Sequence, residues 1–274
     1  MTQAAENTRI IEEATAWNHG RSPDIVWANA GAAAPDLFTD TSVDTLRAQM
    51  DINYWAASYL AHATLTSWLK TTPSSASSTS SSDISAVSGS DRPRHFIVTS
   101  STIAFVGLAG YATYAPAKAA LRSLADSLRS EMGLYNGARR SKDAAVVATA
   151  PDRDISVHIV LPGTILSPGL ERENLTKHPV TVILEDGDPR QSEDEVAAAA
   201  LRGLERGEFM VTTQMLGSVM KAGMLGGSPR ARLVVDTLLS WVASIAWLFV
   251  GPDLDGKVWK YGTQYGSGRR PAKA

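Results

Sequence analysis

Three short apolar runs, each stopped by turn or hydroxyl residues and separated by helical stretches, limit what this chain can fold into. Asp24 to Asn29 (DIVWAN) stops at Ala30-Gly31, His95 to Ser100 (HFIVTS) at a second serine, and Ser156 to Leu161 (SVHIVL) at Pro162-Gly163. Runs this short and this continuously apolar suit strands buried on both faces. Between the first two, Leu46, Met50, Tyr54 and Ala57 recur at threes and fours within Val43 to Leu69. After the second, Leu121, Leu124, Leu128 and Met132 form one stripe within Ala112 to Leu134. Ser192, with Glu195 in capping-box spacing, opens a further alanine-rich helix reaching Leu204. Strands alternating with helices predict an α/β fold built on a parallel sheet with helices on both faces.

The chain divides into residues 1–228, expected to form the sheet domain, and residues 229–274, a hydrophobic segment with a polar tail. Two polar inserts interrupt the first part: a Ser/Thr-rich tract at 71–91 with almost nothing to bury, and a second stretch at 137–154. Leu233 to Val250 has one charge, Asp236, in eighteen residues. That is just short of the ~20 apolar residues needed to cross a bilayer core, so the segment reads either as a buried helix lining a pocket or as a membrane contact. Arg230, Arg232, Lys257 and Lys260 flank it, and Trp241, Trp247 and Trp259 suit an interface.

With 274 residues and 44% hydrophobic content, one sizeable core is available. A net charge of -2 offers no footprint for a nucleic acid. The chain has no cysteine, which removes thiol chemistry, and its five histidines (His19, His62, His95, His158, His178) show no metal-ligand spacing. No metal site is expected. Met1 to Glu13 lacks the basic and apolar regions of a secretory signal.

Tyr114 and Lys118 form Y-x-x-x-K, which on a helix places both side chains on one face. A phenol titrates near ~10, so an adjacent cation would help it exchange protons near neutrality. Ser101 lies thirteen residues before Tyr114, at the end of a strand. Together with Asn29-Ala30-Gly31 after a strand, Asn53 in a helix, and Pro162-Gly163 followed by Ser167, these residues resemble the short-chain dehydrogenase/reductase family over about Ile10 to Leu170.

The resemblance implies a Rossmann-like fold and a ketone reduction in which Tyr114 is the general acid and Ser101 holds the carbonyl oxygen, with Ser100 the alternative. It further implies that Lys118 binds the nicotinamide ribose and lowers the Tyr114 pKa, and that Asn53 holds a water in a proton relay. Asn29, Ala30, Gly31, Pro162, Gly163 and Ser167 would complete the cofactor site, with NADPH as cofactor. Within the family the chain resembles fungal 3-ketodihydrosphingosine reductases, through the segment LPGTILSPGLERENLTKHPVT and the tryptophan-bearing apolar tail. That likeness implies reduction of 3-ketosphinganine, a long-chain lipid ketone, at the cytosolic face of the endoplasmic reticulum membrane.

The family also begins with βαβ units carrying a glycine-rich turn for the cofactor pyrophosphate. Nothing before Asp24 matches that turn, so the chain is expected to lack the first units and the residue that selects NADP over NAD. Exposed sheet edges would then favour poor solubility or a covering partner, a homo-oligomer included. Two other readings stay open: a reductase of a steroid, retinoid or other hydrophobic ketone, and a non-catalytic module that binds a membrane or partner.

Overall fold

The computed structural model describes residues 2–70 and 92–265; the Ser/Thr-rich tract at 71–91 lies outside them. Helix α1 (Ala4–Trp17) leads to strand β1 (Ile25–Ala28). Helix α2 (Val43–Met50) is capped by Ser42, whose hydroxyl accepts from the Thr45 N–H, and continues through a π-turn at Asp51–Trp55 into α3 (Ala56–Lys70). The 43–69 periodicity is therefore one continuous helical rod with a bulge at its centre. The bulge holds Asn53, whose amide nitrogen donates to the Gln49 carbonyl at 2.9 Å and so interrupts the regular ladder.

Strand β2 (Arg94–Thr99) is followed by α4 (Ala115–Ala138), a single turn α5 (Ala144–Val147), and β3 (Ile155–Leu161). A short pair, β4 (Thr164–Leu166) and β5 (Arg190–Ser192), brackets α6 (Pro168–Thr176) and α7 (Pro179–Leu184). Then come α8 (Glu193–Glu205), β6 (Met210–Thr212), α9 (Met215–Met224) and α10 (Leu233–Tyr265). The expected capping box at Ser192 and Glu195 is present in full.

The main sheet has order β1-β2-β3-β6, every neighbour parallel. Alternation along its strands sends Phe96, Val98, Val157, Ile159 and Leu161 to one face, where they pack with Leu60, Trp68, Leu121 and Met132 of α3 and α4. Ile97, Val160 and Val211 point to the other face, against Ala200 and Leu204 of α8. There α8 approaches so closely that a Cβ on Gly203 would lie 2.4 Å from Val211. Trp68 is fully buried and its indole N–H donates to the Pro23 carbonyl at 2.9 Å, as a buried ring nitrogen requires.

Two regions read only as polar sequence are organised. The stretch before Asp24 forms α1, which packs on α3 with Ile11 in the core. The insert at 137–154 is an ion-pair latch: Arg94 meets Asp152 at 2.7 Å, Arg140 meets Asp154 at 2.6 Å, and Arg153 meets Asp24 at 2.6 Å. Hydrogen bonds from Arg140 and then Arg139 hold the Asp154 carboxyl down at about 2. Among the described residues β1 pairs with β2 alone, and Ile25 is 61% exposed on that edge.

His95 and His158, on β2 and β3, share a hydrogen bond of 3.0 Å, and His158 Nδ1 meets the Glu208 carbonyl at 2.8 Å. Burial holds both imidazoles below their usual range, with repulsion from His158 adding to the effect on His95. The unfolded chain therefore takes up these protons first. The stability that depends on the pair is complete above about pH 6.5 and is lost as pH falls below that value toward the lower folded pKa. Urea unfolding should show a falling midpoint between about pH 7 and pH 5, and most of that slope should vanish in the His95→Gln, His158→Gln double variant. Equal slopes in both proteins would remove the pair as its source.

Candidate active site

The carboxyl ends of β1, β2 and β3 open onto one cavity of about 860 Å³. Lys118, in the first turn of α4, is buried at its rim and its Nζ donates to the Thr99 carbonyl at 3.2 Å, at the very end of β2. The ammonium lies 5.4 Å from the centre of the Tyr114 ring. Tyr114 itself is the residue from which α4 starts rather than an interior helical position, and the Lys118 N–H donates to its carbonyl at 3.3 Å. Pro116, in the first turn, cannot disturb that bond because its missing N–H falls among the unpaired amides of a helix start.

The two serines separate cleanly. Ser100 is buried and its hydroxyl donates to the Lys118 carbonyl at 2.8 Å, which ties β2 to α4. Ser101 caps the short 3-10 turn Thr102–Phe105, lines the cavity and interacts with the Tyr114 phenol. Asn53 is fully buried; its amide donates to the Ala32 carbonyl at 2.7 Å and accepts from the Ala32 N–H at 3.1 Å. It thereby clamps the turn after β1. A Cβ on Gly31 would lie 2.9 Å from Asn53 Oδ1 and 3.1 Å from Lys118 Nζ, so the bare backbone of Gly31 leaves room for both groups.

Asn29 accepts from the Thr99 hydroxyl at 2.7 Å and, with Gly31, Pro162, Gly163 and Ser167, lines the cavity. Ala30 does not; it sits between two lining residues. Ser167 caps α6 by accepting from the Leu170 N–H at 3.3 Å. Thus Ser101, Tyr114, Lys118, Gly31 and Asn53 converge, although their positions span 88 residues of sequence from Gly31 to Lys118.

Several wall residues carried no local signal in the sequence. Gln214, the residue from which α9 starts, lies against Gly163, and its Oε1 is buried without a hydrogen-bond partner among the described residues. Tyr111 donates to Glu185, and Glu185 also meets the buried Lys177 at 2.6 Å. The Lys-His-Pro element thus has structural work: Lys177 joins this network, and His178 caps α7 while its ring packs edge-on to Tyr261 of α10 at 5.5 Å. The far wall is apolar, formed by Leu216, Val219 and Met220 of α9 and by Ala243, Trp247 and Val250 of α10.

Burial pushes the Tyr114 phenol above its ordinary value, the Glu173 charge pushes it further, and Ser101 pulls it back. The same loss of water holds Lys118 down at about 8. The lowering of the phenol by Lys118 implied at the sequence level is not among the influences on Tyr114 in the protein alone. A phenol raised in this way keeps its proton at neutral pH and is a weaker acid than a free one, so donation depends on the charge that develops on the substrate oxygen.

Solved structures with this fold include a short-chain dehydrogenase from Streptomyces avermitilis (18% identity, TM-score 0.54, covering 90% of this chain and 78% of that one). Another, from Burkholderia cenocepacia, was solved in complex with NADP (18% identity, TM-score 0.54, covering 87% and 75%). The molecule has the short-chain dehydrogenase/reductase fold. Among curated proteins the chain is similar to the 3-ketodihydrosphingosine reductase of Aspergillus fumigatus, 46% identical over 97% of this chain and 69% of the relative. It is likewise similar to that of Neurospora crassa, 40% identical over 94% of this chain and 64% of the relative. The chain belongs to the 3-ketodihydrosphingosine reductase family of short-chain oxidoreductases. No protein-family model matches it.

The site fits the nicotinamide end of the cofactor such enzymes use. Gly31 is a bare-backbone cradle beside an ammonium, and the orphaned Gln214 oxygen waits beside Gly163 for a donor such as a carboxamide. Gly31→Ala should crowd Asn53 Oδ1 and Lys118 Nζ while leaving the fold intact, because residue 31 is exposed. We expect about a hundredfold loss of reductase turnover with an unfolding midpoint close to wild type. Turnover near wild type would show that the cradle tolerates a side chain.

Proposed function

We propose that the chain reduces 3-ketosphinganine to sphinganine with NADPH, and that Tyr114 supplies the proton. The observation that carries this reading is the convergence of Ser101, Tyr114 and Lys118 at the polar mouth of a cavity whose opposite wall is the apolar α9 and α10 surface. Hydride is what the bound cofactor supplies; the remaining chemistry belongs to the protein. The Ser101 hydroxyl donates to the ketone oxygen and orients it toward the phenol. As negative charge builds on that oxygen, the Tyr114 proton moves to it, with Ser101 favouring the phenolate left behind and the Lys118 ammonium 5.4 Å from the ring centre. Asn53, through Ala32, keeps the turn beside Lys118 in place. Asn29, Pro162 and Ser167 line the space left for the nicotinamide half.

Tyr114→Phe tests the assignment directly. NADPH oxidation driven by 3-ketosphinganine should fall by about two orders of magnitude or more, with substrate affinity largely kept. Reduction of a steroid or retinoid ketone in preference to the sphingoid ketone would replace the substrate reading.

The lipid must come from a membrane, and α10 supports contact with one. Its segment Leu233–Tyr261 is 29 residues long with a mean hydropathy of 2.0 over its most apolar window, long and apolar enough by composition to cross a bilayer. Ala243 and Trp247 face the cavity, whereas Leu238, Trp241, Val242, Ile245, Leu248 and Phe249 are exposed. We assign the exposed face to the cytosolic side of the endoplasmic reticulum membrane, so that substrate passes from lipid to cavity along one helix. In vesicle flotation the full chain should rise with the lipid, and the Trp241→Glu, Leu248→Glu double variant should stay largely in the soluble fraction. Equal flotation of both would move the contact elsewhere.

A further inference from the structure

The catalytic cavity is apolar toward α10 but acidic toward α6 and α7, and that asymmetry is not used by the proton-transfer chemistry. Glu173, on α6, lines the cavity together with Tyr111 and Tyr114. Its neighbour Lys177 is almost wholly buried and sits 2.6 Å from Glu185 but 4.0 Å from Glu173. One ammonium is thus shared unequally between two carboxylates, and the closer one, Glu185, also accepts from Tyr111. Glu173 is left with the weaker half of the pairing and with its side chain 22% exposed, on the lining of the cavity. Burial raises its pKa, which Lys177 opposes and Glu185 reinforces. A half-compensated carboxylate in such a place is costly unless a cation comes to it.

We infer that Glu173 is the specificity-determining residue that receives the ammonium group of an amino-ketone substrate, next to the carbonyl that Tyr114 protonates. This rests on the reductase reading above and deepens it. A sphingoid ketone carries its amine on the carbon adjacent to the carbonyl, so a residue that reads the amine has to share the cavity with the proton donor. Glu173 meets that requirement, since it lines the same cavity and its charge is felt by the Tyr114 phenol. A neutral hydrophobic ketone brings no cation to this carboxylate, and seating one would bury it with only the 4.0 Å pairing to Lys177. Selectivity then comes from charge at one end of the cavity, while the apolar wall accepts any chain of suitable length.

The test separates binding from turnover. Quenching of tryptophan fluorescence, which Trp247 on the cavity wall can report, measures binding of a short-chain sphinganine analogue and of the matched 1,3-diol without the amine. The full chain should bind the amino-diol about ten- to hundredfold more tightly. Glu173→Gln should close that gap by weakening the amino-diol alone, and Glu173→Asp should restore part of it. No gap in the wild type, an unchanged gap in Glu173→Gln, or equal loss of both ligands would overturn the inference. Parallel assays with the amino-ketone and its amine-free counterpart judge the reductase reading by itself: turnover of both ketones with no amine preference keeps the reductase and discards the role of Glu173. An amine preference in binding without turnover of either ketone keeps Glu173 and discards the reductase.

Discussion

A buried ammonium organises this molecule. Lys118 is removed from water, and an ion in that position must find acceptors or give up its proton. It has one firm acceptor, the Thr99 carbonyl, at the point where β2 stops pairing, and its burial already draws its pKa down to about 8. The surrounding architecture serves to hold it there. Ser100 fixes its backbone carbonyl, Asn53 fixes the turn beside it through Ala32, and Gly31 leaves room for its tip. Displacing any of these would either open the ammonium to solvent or crowd it.

The π-turn at Asp51–Trp55 belongs to the same arrangement. Asn53 satisfies its amide nitrogen with the Gln49 carbonyl within its own helix and the Ala32 carbonyl outside it, so the helix accepts an irregular turn in exchange for a clamp on the loop after β1. A polar residue in mid-helix thus becomes a link between two elements that are otherwise joined only by packing.

The last helix joins the cavity to the exterior. Gly223 of α9 lets Ala243 of α10 approach so closely that a Cβ there would lie 2.9 Å from it, which seats one face of α10 on the fold. The sequence left open whether Leu233 to Val250 lines a pocket or meets a membrane. The structure shows a helix with a cavity-lining face and an exposed apolar face, so the first property does not preclude the second. Opposite it, the network of Lys177, Glu173, Glu185 and Tyr111 makes the polar end of the same cavity.

Much of this was legible locally. The three apolar runs are β1, β2 and β3, the leucine stripe is α4, and Ser192 with Glu195 caps α8, because strand burial, helical periodicity and capping are properties of neighbouring residues. Tyr114, Lys118 and Ser101 were legible too, since their spacing on one helix start and one strand end constrains where they can go. Sequence alone did not reveal α1, whose polar surface hides the single buried face carrying Ile11, nor the ion-pair latch at 137–154, whose partners Asp24 and Arg94 are far away in the chain. Gln214 was likewise invisible as a site residue, and the segment holding Glu173 and Lys177 stood out only through its resemblance. Their roles arise from contacts between α6, α7, α9 and the central strands, and a contact between distant segments leaves no periodic trace in either one. Local sequence therefore determined which strands and helices form and which polar residues end them, whereas only the tertiary fold decided which charges and surfaces meet, because burial and distance are set by how the whole chain packs.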